Sequence, residues 1–154
     1  MKIVSGGQTG ADMAALEFAR HNGLDHGGWV PKGRTNEAGR IPEHFTGLAE
    51  TDSEKVVERT RCNVASSDAT LIFVDGSTSP GTQQTIAFAE EAGKPHLVVD
   101  VRDGTATCAR KVREWLQSTP ATVLNIAGPR ASEAPQIGPQ ARAILDQNLD
   151  LLEA

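Results

Sequence analysis

The stretch VSGGQTGAD, residues 4–12, places three glycines between an apolar run and a helix-like segment. Ile3 and Val4 precede the glycines, and the helix-periodic run MAALEFARH (13–21) follows them. Glycine permits positive φ and lets the backbone approach a bulky group closely. The stretch therefore predicts either an anion cradle at a helix N-terminus or a tight turn that binds nothing.

Short apolar runs alternate with helix-periodic segments along the chain. The runs are nearly continuous and rich in β-branched residues, as in strands buried on both faces. They are KIVS (2–5), GWV (28–30), ATLIFVD (69–75), PHLVVDV (95–101) and TVLNIAG (122–128). Because parallel strands need crossover connections, the alternation predicts an α/β fold, a Rossmann-like open parallel sheet with helices on both faces. Its 154 residues are expected to form a single domain, 1–154.

Local signals also mark helix ends. Thr9–Asp12 and Thr51–Glu54 each have the composition of a capping box, in which a hydroxyl and a carboxylate satisfy free amides at a helix start. Gly93-Lys94-Pro95 is typical of a helix end. Residues 31–50 are expected to be the long irregular segment of the chain.

Composition excludes several classes of function. A net charge of −5 argues against a nucleic-acid binder, which normally carries a basic face. A small anionic ligand remains compatible, because a local pocket can be positive on an acidic protein. No run approaches the ~18 apolar residues of a membrane span, so a cytoplasmic protein without a membrane partner is expected. Cys62 and Cys108 lie far apart with no His at ligand spacing, and no metal site is predicted.

Four unusual loops each follow a predicted strand. Ligands of open parallel sheets bind outside the carboxyl ends of the strands, so these loops are expected to open onto one edge. They are GGQTG (6–10), PKGRTNEAGRIPE (31–43), GSTSPGTQQ (76–84) and GPRASEAP (128–135). In the first loop, helix-start amides and the Thr9 hydroxyl are candidates to hold a phosphate. Gly81-Thr82 repeats the arrangement before the third helix.

Charged residues in these loops have two interpretations each. Lys32, Arg34 and Arg40 form either part of an anion site or a solvated basic loop. Arg130 is a further candidate partner of an anion. Asp75, at the end of the third strand, either accepts hydrogen bonds from a base or pterin ring or is a turn residue.

Catalytic groups are scarce. No Ser/His/Asp grouping or paired carboxylate is visible near the loops, and Asp12 is expected to cap its helix and not to act as a base. No catalytic residue is therefore assigned, and the residues favour binding over chemistry.

Several stretches resemble the molybdenum carrier proteins, also called molybdenum cofactor carriers, within the lysine-decarboxylase-like Rossmannoid superfamily. They run in order through almost the whole chain: SGGQTGAD (5–12), HGGWVPKGR (26–34), GRIPE (39–43), RTRCNVASSDATLIF (59–73), GKP (93–95) and LNIAGPRASEAP (124–135). The resemblance implies a homo-oligomer, a dimer or tetramer, that binds and protects or carries molybdenum cofactor (molybdopterin), a pterin with a dithiolene and a terminal phosphate. A molybdoenzyme that accepts the cofactor is a further expectation.

The resemblance also implies a set of cofactor-binding residues. Carried over to matching positions, they are Gly6, Gly7, Gln8, Thr9, Gly10, Lys32, Gly33, Arg34, Gly81 and Thr82. Asp75 and Arg130 join them from the loop analysis above. The resemblance further implies that the metal is held by the cofactor's own sulfurs and not by protein ligands.

One departure bears on activity. Phosphoribohydrolases of the same superfamily carry a PGGxGTxEE loop, whereas this chain has SPGTQQT (79–85). Gln84 and Thr85 stand at the positions of the two acids, and neither can supply a carboxylate. A nucleotide-binding sensor and a phosphoribohydrolase-like enzyme remain the alternatives to a carrier.

Overall fold

Six parallel strands form the central sheet of the protein, whose computed structural model describes residues 1–154. The strands of the chain are β1 (Lys2–Val4), β2 (His26–Val30), β3 (Thr35–Asn36), β4 (Gly39–Arg40), β5 (Leu48–Glu50), β6 (Ala69–Val74), β7 (His96–Asp100) and β8 (Val123–Ala127). Strands β3 and β4 form a separate antiparallel hairpin, and the other six lie in the order β5-β2-β1-β8-β6-β7. All five predicted strands are present, and the predicted Rossmann-like fold class is confirmed.

Helices alternate with these strands. They are α1 (Ala11–His21), α2 (Val56–Ala65), α3 (Pro80–Glu91), α4 (Thr105–Ser118), α5 (Ile137–Asp146) and α6 (Leu149–Leu152). Helix α5 contacts both α1 and α4, whereas α2 contacts α3. The two groups cover opposite faces of the sheet, as the parallel crossovers require. None of the helices is long and apolar enough to cross a bilayer.

Two apolar clusters hold these layers together. The larger contains 21 buried residues, mainly from the sheet and from α1, α4 and α5. The smaller consists of Leu16 on α1, Val30 on β2, and Ile41 and Phe45 from the segment between β4 and β5. It fixes that segment against the sheet although the segment contributes little regular structure.

The expectation that residues 31–50 are irregular is wrong. The segment contains the β3–β4 hairpin, and its end forms β5, which pairs with β2 through Gly28 and Leu48. Arg34 stabilises the fold of the segment, since its guanidinium donates to the carbonyls of Pro42 and Phe45, each at 2.8 Å. Short, largely exposed edge strands leave no continuous apolar run by which the sequence could reveal them.

The capping box expected at Thr9–Asp12 does not form. Gly10 precedes α1 and no side chain caps the helix start. The Thr9 hydroxyl instead donates to Glu37 and accepts from the Ala131 amide at 3.1 Å. Partners far along the chain therefore replace the local cap.

The capping box expected at Thr51–Glu54 is also absent, and the residue that precedes α2 is Lys55, four positions after Thr51. Thr51 uses its hydroxyl to donate to the Ser53 carbonyl at 2.8 Å. The helix end expected at Gly93 is confirmed, because α3 ends at Glu91 and Gly93 has a φ of 65°.

Gly128 provides a test of how closely α1 packs on the sheet. A Cβ at Gly128 would lie 2.6 Å from the Ala11 Cβ and 2.9 Å from the Phe73 carbonyl oxygen. We expect Gly128→Ala to lower the free energy of unfolding by about 1–3 kcal/mol, the usual cost of overpacking. Urea denaturation measures this change.

Gly138→Ala is the matched control. Its added Cβ would meet nothing closer than 3.8 Å, and the higher helix propensity of alanine should raise stability by up to about 1 kcal/mol. Equal stability of the two variants would contradict the close packing described at Gly128.

Candidate ligand-binding site

A cavity of about 550 Å³ lies at the carboxyl edge of the sheet. Its size is within the range of about 300–1,000 Å³ that is usual for small-molecule sites. Gln8 and Asp12 line it from the first loop and α1, and the starts of α2 and α3 and the loop after β8 supply the rest. The cavity therefore lies where the topology of an open parallel sheet places a ligand.

Most of the residues that line the cavity are polar or charged. Only three of its 17 residues are hydrophobic, which favours a polar ligand over an apolar one. Three cations, Lys55, Arg59 and Arg130, face two acids, Asp12 and Glu133. No group of three His, Cys, Asp or Glu side chains is arranged to hold a metal ion.

Asp12 is a buried carboxylate in the wall of this cavity, with an exposed fraction of 3%. Burial raises its pKa from 3.8 to about 6, and the Arg59 guanidinium and the amides of Gln8 and Gly6 offset part of that rise. The Gln8 amide donates to Oδ2 at 3.3 Å, and Arg59 Nη2 lies 4.0 Å from the same oxygen. The GGQTG loop thus uses its amides on a carboxylate of the chain itself.

Arg59 lies beside this carboxylate on α2. Its guanidinium packs against Gly6, where an added Cβ would come within 2.6 Å of Cζ. Nη1 donates to the Thr60 hydroxyl at 2.9 Å, whereas the buried Nε has no partner in the chain. Only 14% of the side chain is exposed, so its charge is screened little by solvent. A ligand anion in the cavity would therefore meet a strong electrostatic partner.

The start of α3 forms another wall of the cavity. Ser79 caps the helix by accepting from the Thr82 amide at 3.3 Å, and Pro80 occupies the first turn. The space beside Gly81 is open, since an added Cβ would meet only Ser79 Oγ at 3.9 Å. The positive end of the α3 dipole faces the cavity, in the arrangement that commonly binds phosphate.

The structure brings some predicted binding residues together and leaves others outside. Those that line the cavity are Gln8, Gly81, Thr82 and Arg130. Those that do not are Gly6, Gly7, Thr9, Gly10, Lys32, Gly33, Arg34 and Asp75. The β3–β4 hairpin separates much of the first loop from the cavity: Asn36 Nδ2 donates to the Gly7 carbonyl at 2.9 Å, and the Glu37 amide to Gln8 Oε1 at 3.1 Å.

Glu37 joins three of the loops that were expected to converge. Its carboxylate accepts from the Thr9 hydroxyl and from the Ser132 hydroxyl and amide, at 2.6 and 3.1 Å for Ser132. The Ser132 hydroxyl, followed by that of Thr9, holds the pKa of Glu37 below its usual value. The Thr9 hydroxyl is consequently engaged with protein groups on both its donor and acceptor sides.

The basic loop makes its contacts mainly within itself. Arg34 binds carbonyls, Arg40 pairs with Glu43 at 2.8 Å, and the Gly33 amide donates to Glu50 at 2.7 Å. Lys32 is exposed. Lys32 and Arg40 thus fit the interpretation as a solvated basic loop, whereas Arg34 fits neither alternative, because its guanidinium binds carbonyls of its own segment.

Asp75 is exposed and lies in a turn in which the Ser77 amide donates to its carbonyl at 3.2 Å. Of the two interpretations open from the sequence, this placement fits the turn residue.

Sequence reasoning missed the contribution of α2, namely Lys55, Arg59 and Thr60. The reason is topological. Strand β5 was not predicted, so nothing indicated that the helix following it starts at the carboxyl edge. LAE (48–50) has three residues, two of them exposed, so no apolar run indicates this strand.

The chain is similar to a known protein family and to a solved protein structure. The model of a family described as "Circularly permutated YpsA SLOG family" matches residues 3–149. A crystal structure of a protein named "Putative molybdenum carrier protein", from Syntrophus aciditrophicus SB, is 42% identical, with a TM-score of 0.91, covering 99% of this chain and 94% of that chain. Among curated proteins, none matches the chain.

The burial of Asp12 predicts a pH-dependent stability. Because its pKa rises to about 6 on folding, the folded state binds the proton more tightly. The resulting stabilisation is full below about pH 4 and is lost as the pH rises through about 6. At about 1.4 kcal/mol per unit, the loss is on the order of 3 kcal/mol. Asp12→Asn should lack this slope in urea unfolding between pH 4 and 8.

Asp25→Asn, at an exposed position on the opposite edge of the sheet, removes the same charge and serves as the control. It should keep the wild-type slope. If Asp12→Asn keeps that slope as well, the buried carboxylate does not titrate as described.

Proposed function

The chain belongs to the circularly permutated YpsA SLOG family, and we propose that it binds, protects and carries molybdenum cofactor. The relative named as a molybdenum carrier, similar over nearly its full length, supports a carrier role. The observation that carries the proposal is the polar cavity, in which Lys55, Arg59 and Arg130 accompany the open start of α3.

The terminal phosphate of the cofactor is the group that these cations suit. We propose that it binds at Gly81 and Thr82, with Arg59 and Arg130 neutralising its charge. A phosphate there meets the positive end of the helix dipole and the Gly81 N–H, since Pro80 has no N–H and the Thr82 amide donates to Ser79 Oγ. The bidentate geometry of a guanidinium adds to both the affinity and the specificity of such a contact.

The pterin ring is the second polar part of the cargo. Gln8 and Gln84 line the cavity. The Gln84 amide can donate and accept hydrogen bonds at the ring edges, whereas Gln8, whose Oε1 accepts from the amides of Thr9 and Glu37, has its Nε2 group to donate. We propose that the dithiolene sulfurs of the cofactor hold the molybdenum. The chain then supplies shape, charge and shelter from water, and no metal ligand.

A nucleotide is the competing cargo, because it also joins a phosphate to a polar heterocycle. Gln84 and Thr85, which stand where phosphoribohydrolases carry acids, both line the cavity. Neither provides the carboxylate on which that hydrolysis depends, so we favour binding without turnover. Release of free base from nucleoside monophosphates would overturn this choice.

Molybdenum retained on the purified protein tests the proposal. After expression in a host that makes molybdenum cofactor, the wild-type protein should carry molybdenum and pterin in equal amounts. Arg59→Met should reduce both by about tenfold to a hundredfold, because a charge-assisted contact of about 1.5–3 kcal/mol is lost. Metal analysis and the fluorescence of the oxidised pterin measure the two components.

Arg110→Met is the matched control, since Arg110 lies exposed on α4 and does not line the cavity. It should retain the wild-type load. Wild-type protein that carries nucleotide and no molybdenum would refute the carrier proposal, and equal losses in the two variants would refute the assignment of the cavity.

A further inference from the structure

We propose that Asp12 recognises the amino-pyrimidinone edge of the pterin and thereby fixes which way round the cargo lies in the cavity. This inference rests on the proposed function, because it assigns a role within the same cavity. It concerns the one acid of the lining that is almost fully buried, with an exposed fraction of 3%.

The chemistry of the two groups is complementary. A pterin, like guanine, presents a ring N–H and an adjacent 2-amino group as two neighbouring donors. An ionised carboxylate accepts only, through two oxygens with about four lone-pair positions, and pairs well with two parallel N–H donors. The Gln8 amide, 3.3 Å from Oδ2, and the Gly6 amide take part of this acceptor capacity, and the remaining lone-pair positions can accept from a ligand.

The surroundings of Asp12 prepare it for this role. The loop amide and the nearby Arg59 guanidinium hold the side chain in one orientation. Arg59 offsets part of the cost of burying the carboxylate, and a neutral ring adds no further charge beside it. Because the pKa of Asp12 is about 6, the group is ionised at neutral pH and both oxygens act as acceptors.

The other acids near the cavity are less suited. Glu133 is paired with Arg130 at 3.3 Å, and its side chain is 38% exposed. Asp75, which the sequence offered as a partner for a pterin ring, lies in an exposed turn outside the cavity. Asp12 therefore takes the role that the sequence assigned to Asp75 as one of two possibilities.

The position of Asp12 also orients the ligand. A phosphate placed against this carboxylate would be repelled, whereas the start of α3 attracts it. The heterocycle is thus directed to the GGQTG side of the cavity and the phosphate to the Gly81 side. The charge of Asp12 disfavours the reversed arrangement.

Matched heterocycles test this inference. Neopterin monophosphate and its lumazine counterpart differ in the 2-amino group, which lumazine replaces with a carbonyl oxygen that a carboxylate repels. The wild-type protein should bind the pterin about tenfold to a hundredfold more tightly in calorimetric titration. Asp12→Asn should abolish this preference, whereas Asp25→Asn should keep it. Inorganic phosphate should bind Asp12→Asn at least as tightly as it binds the wild type.

The outcomes separate this inference from the proposed function. Equal wild-type affinity for the two compounds, or no binding of either, overturns the inference whatever the variant does. A preference that survives in Asp12→Asn overturns it too. A wild-type protein that prefers the pterin over the lumazine but retains no molybdenum would support the role of Asp12. That result would refute only the carrier proposal.

Discussion

The hydrogen bond between the Gln8 amide and the buried Asp12 carboxylate determines how the rest of the site is arranged. This bond engages the first loop with the carboxylate of Asp12. A ligand anion is therefore expected at the start of α3 instead. Gly6 has no side chain because Arg59 occupies that space while lying beside Asp12. Burying an acid raises its pKa and lowers stability at neutral pH, a cost that is typical of functional sites.

Much of the fold was predictable because its central strands are buried on both faces. All six residues of β6 are buried, and such a run leaves an unbroken apolar signal in the sequence. The edge strand β5 has two exposed residues among its three, and each strand of the hairpin has only two residues. Elements this short are stabilised by tertiary contacts, such as the packing of Ile41 and Phe45 on Leu16. Contacts between residues distant in sequence leave no local pattern in the sequence.

The site was predictable in position and only partly in its residues. The parallel direction of the strands places the loops that follow them at one edge, and the contacts of Glu37 with Thr9 and Ser132 show that they meet there. Which side chains face the cavity depends on partners distant in sequence, since Ser132 lies 95 positions from Glu37. The same dependence explains why Thr9 was expected at a phosphate and is engaged with a carboxylate. The sequence did not predict Arg59 in the site, because nothing in the sequence indicated β5, the strand that precedes its helix.

The ligand that occupies the cavity beside Arg59 and Gly81 decides between a carrier and a nucleotide-binding protein. The most direct measurement is calorimetric titration of the apoprotein with isolated molybdenum cofactor, run beside AMP and inorganic phosphate. A carrier should bind the cofactor at micromolar concentration or tighter, and AMP and phosphate much more weakly. Equal or tighter binding of AMP would contradict the account and identify the cavity as a nucleotide site.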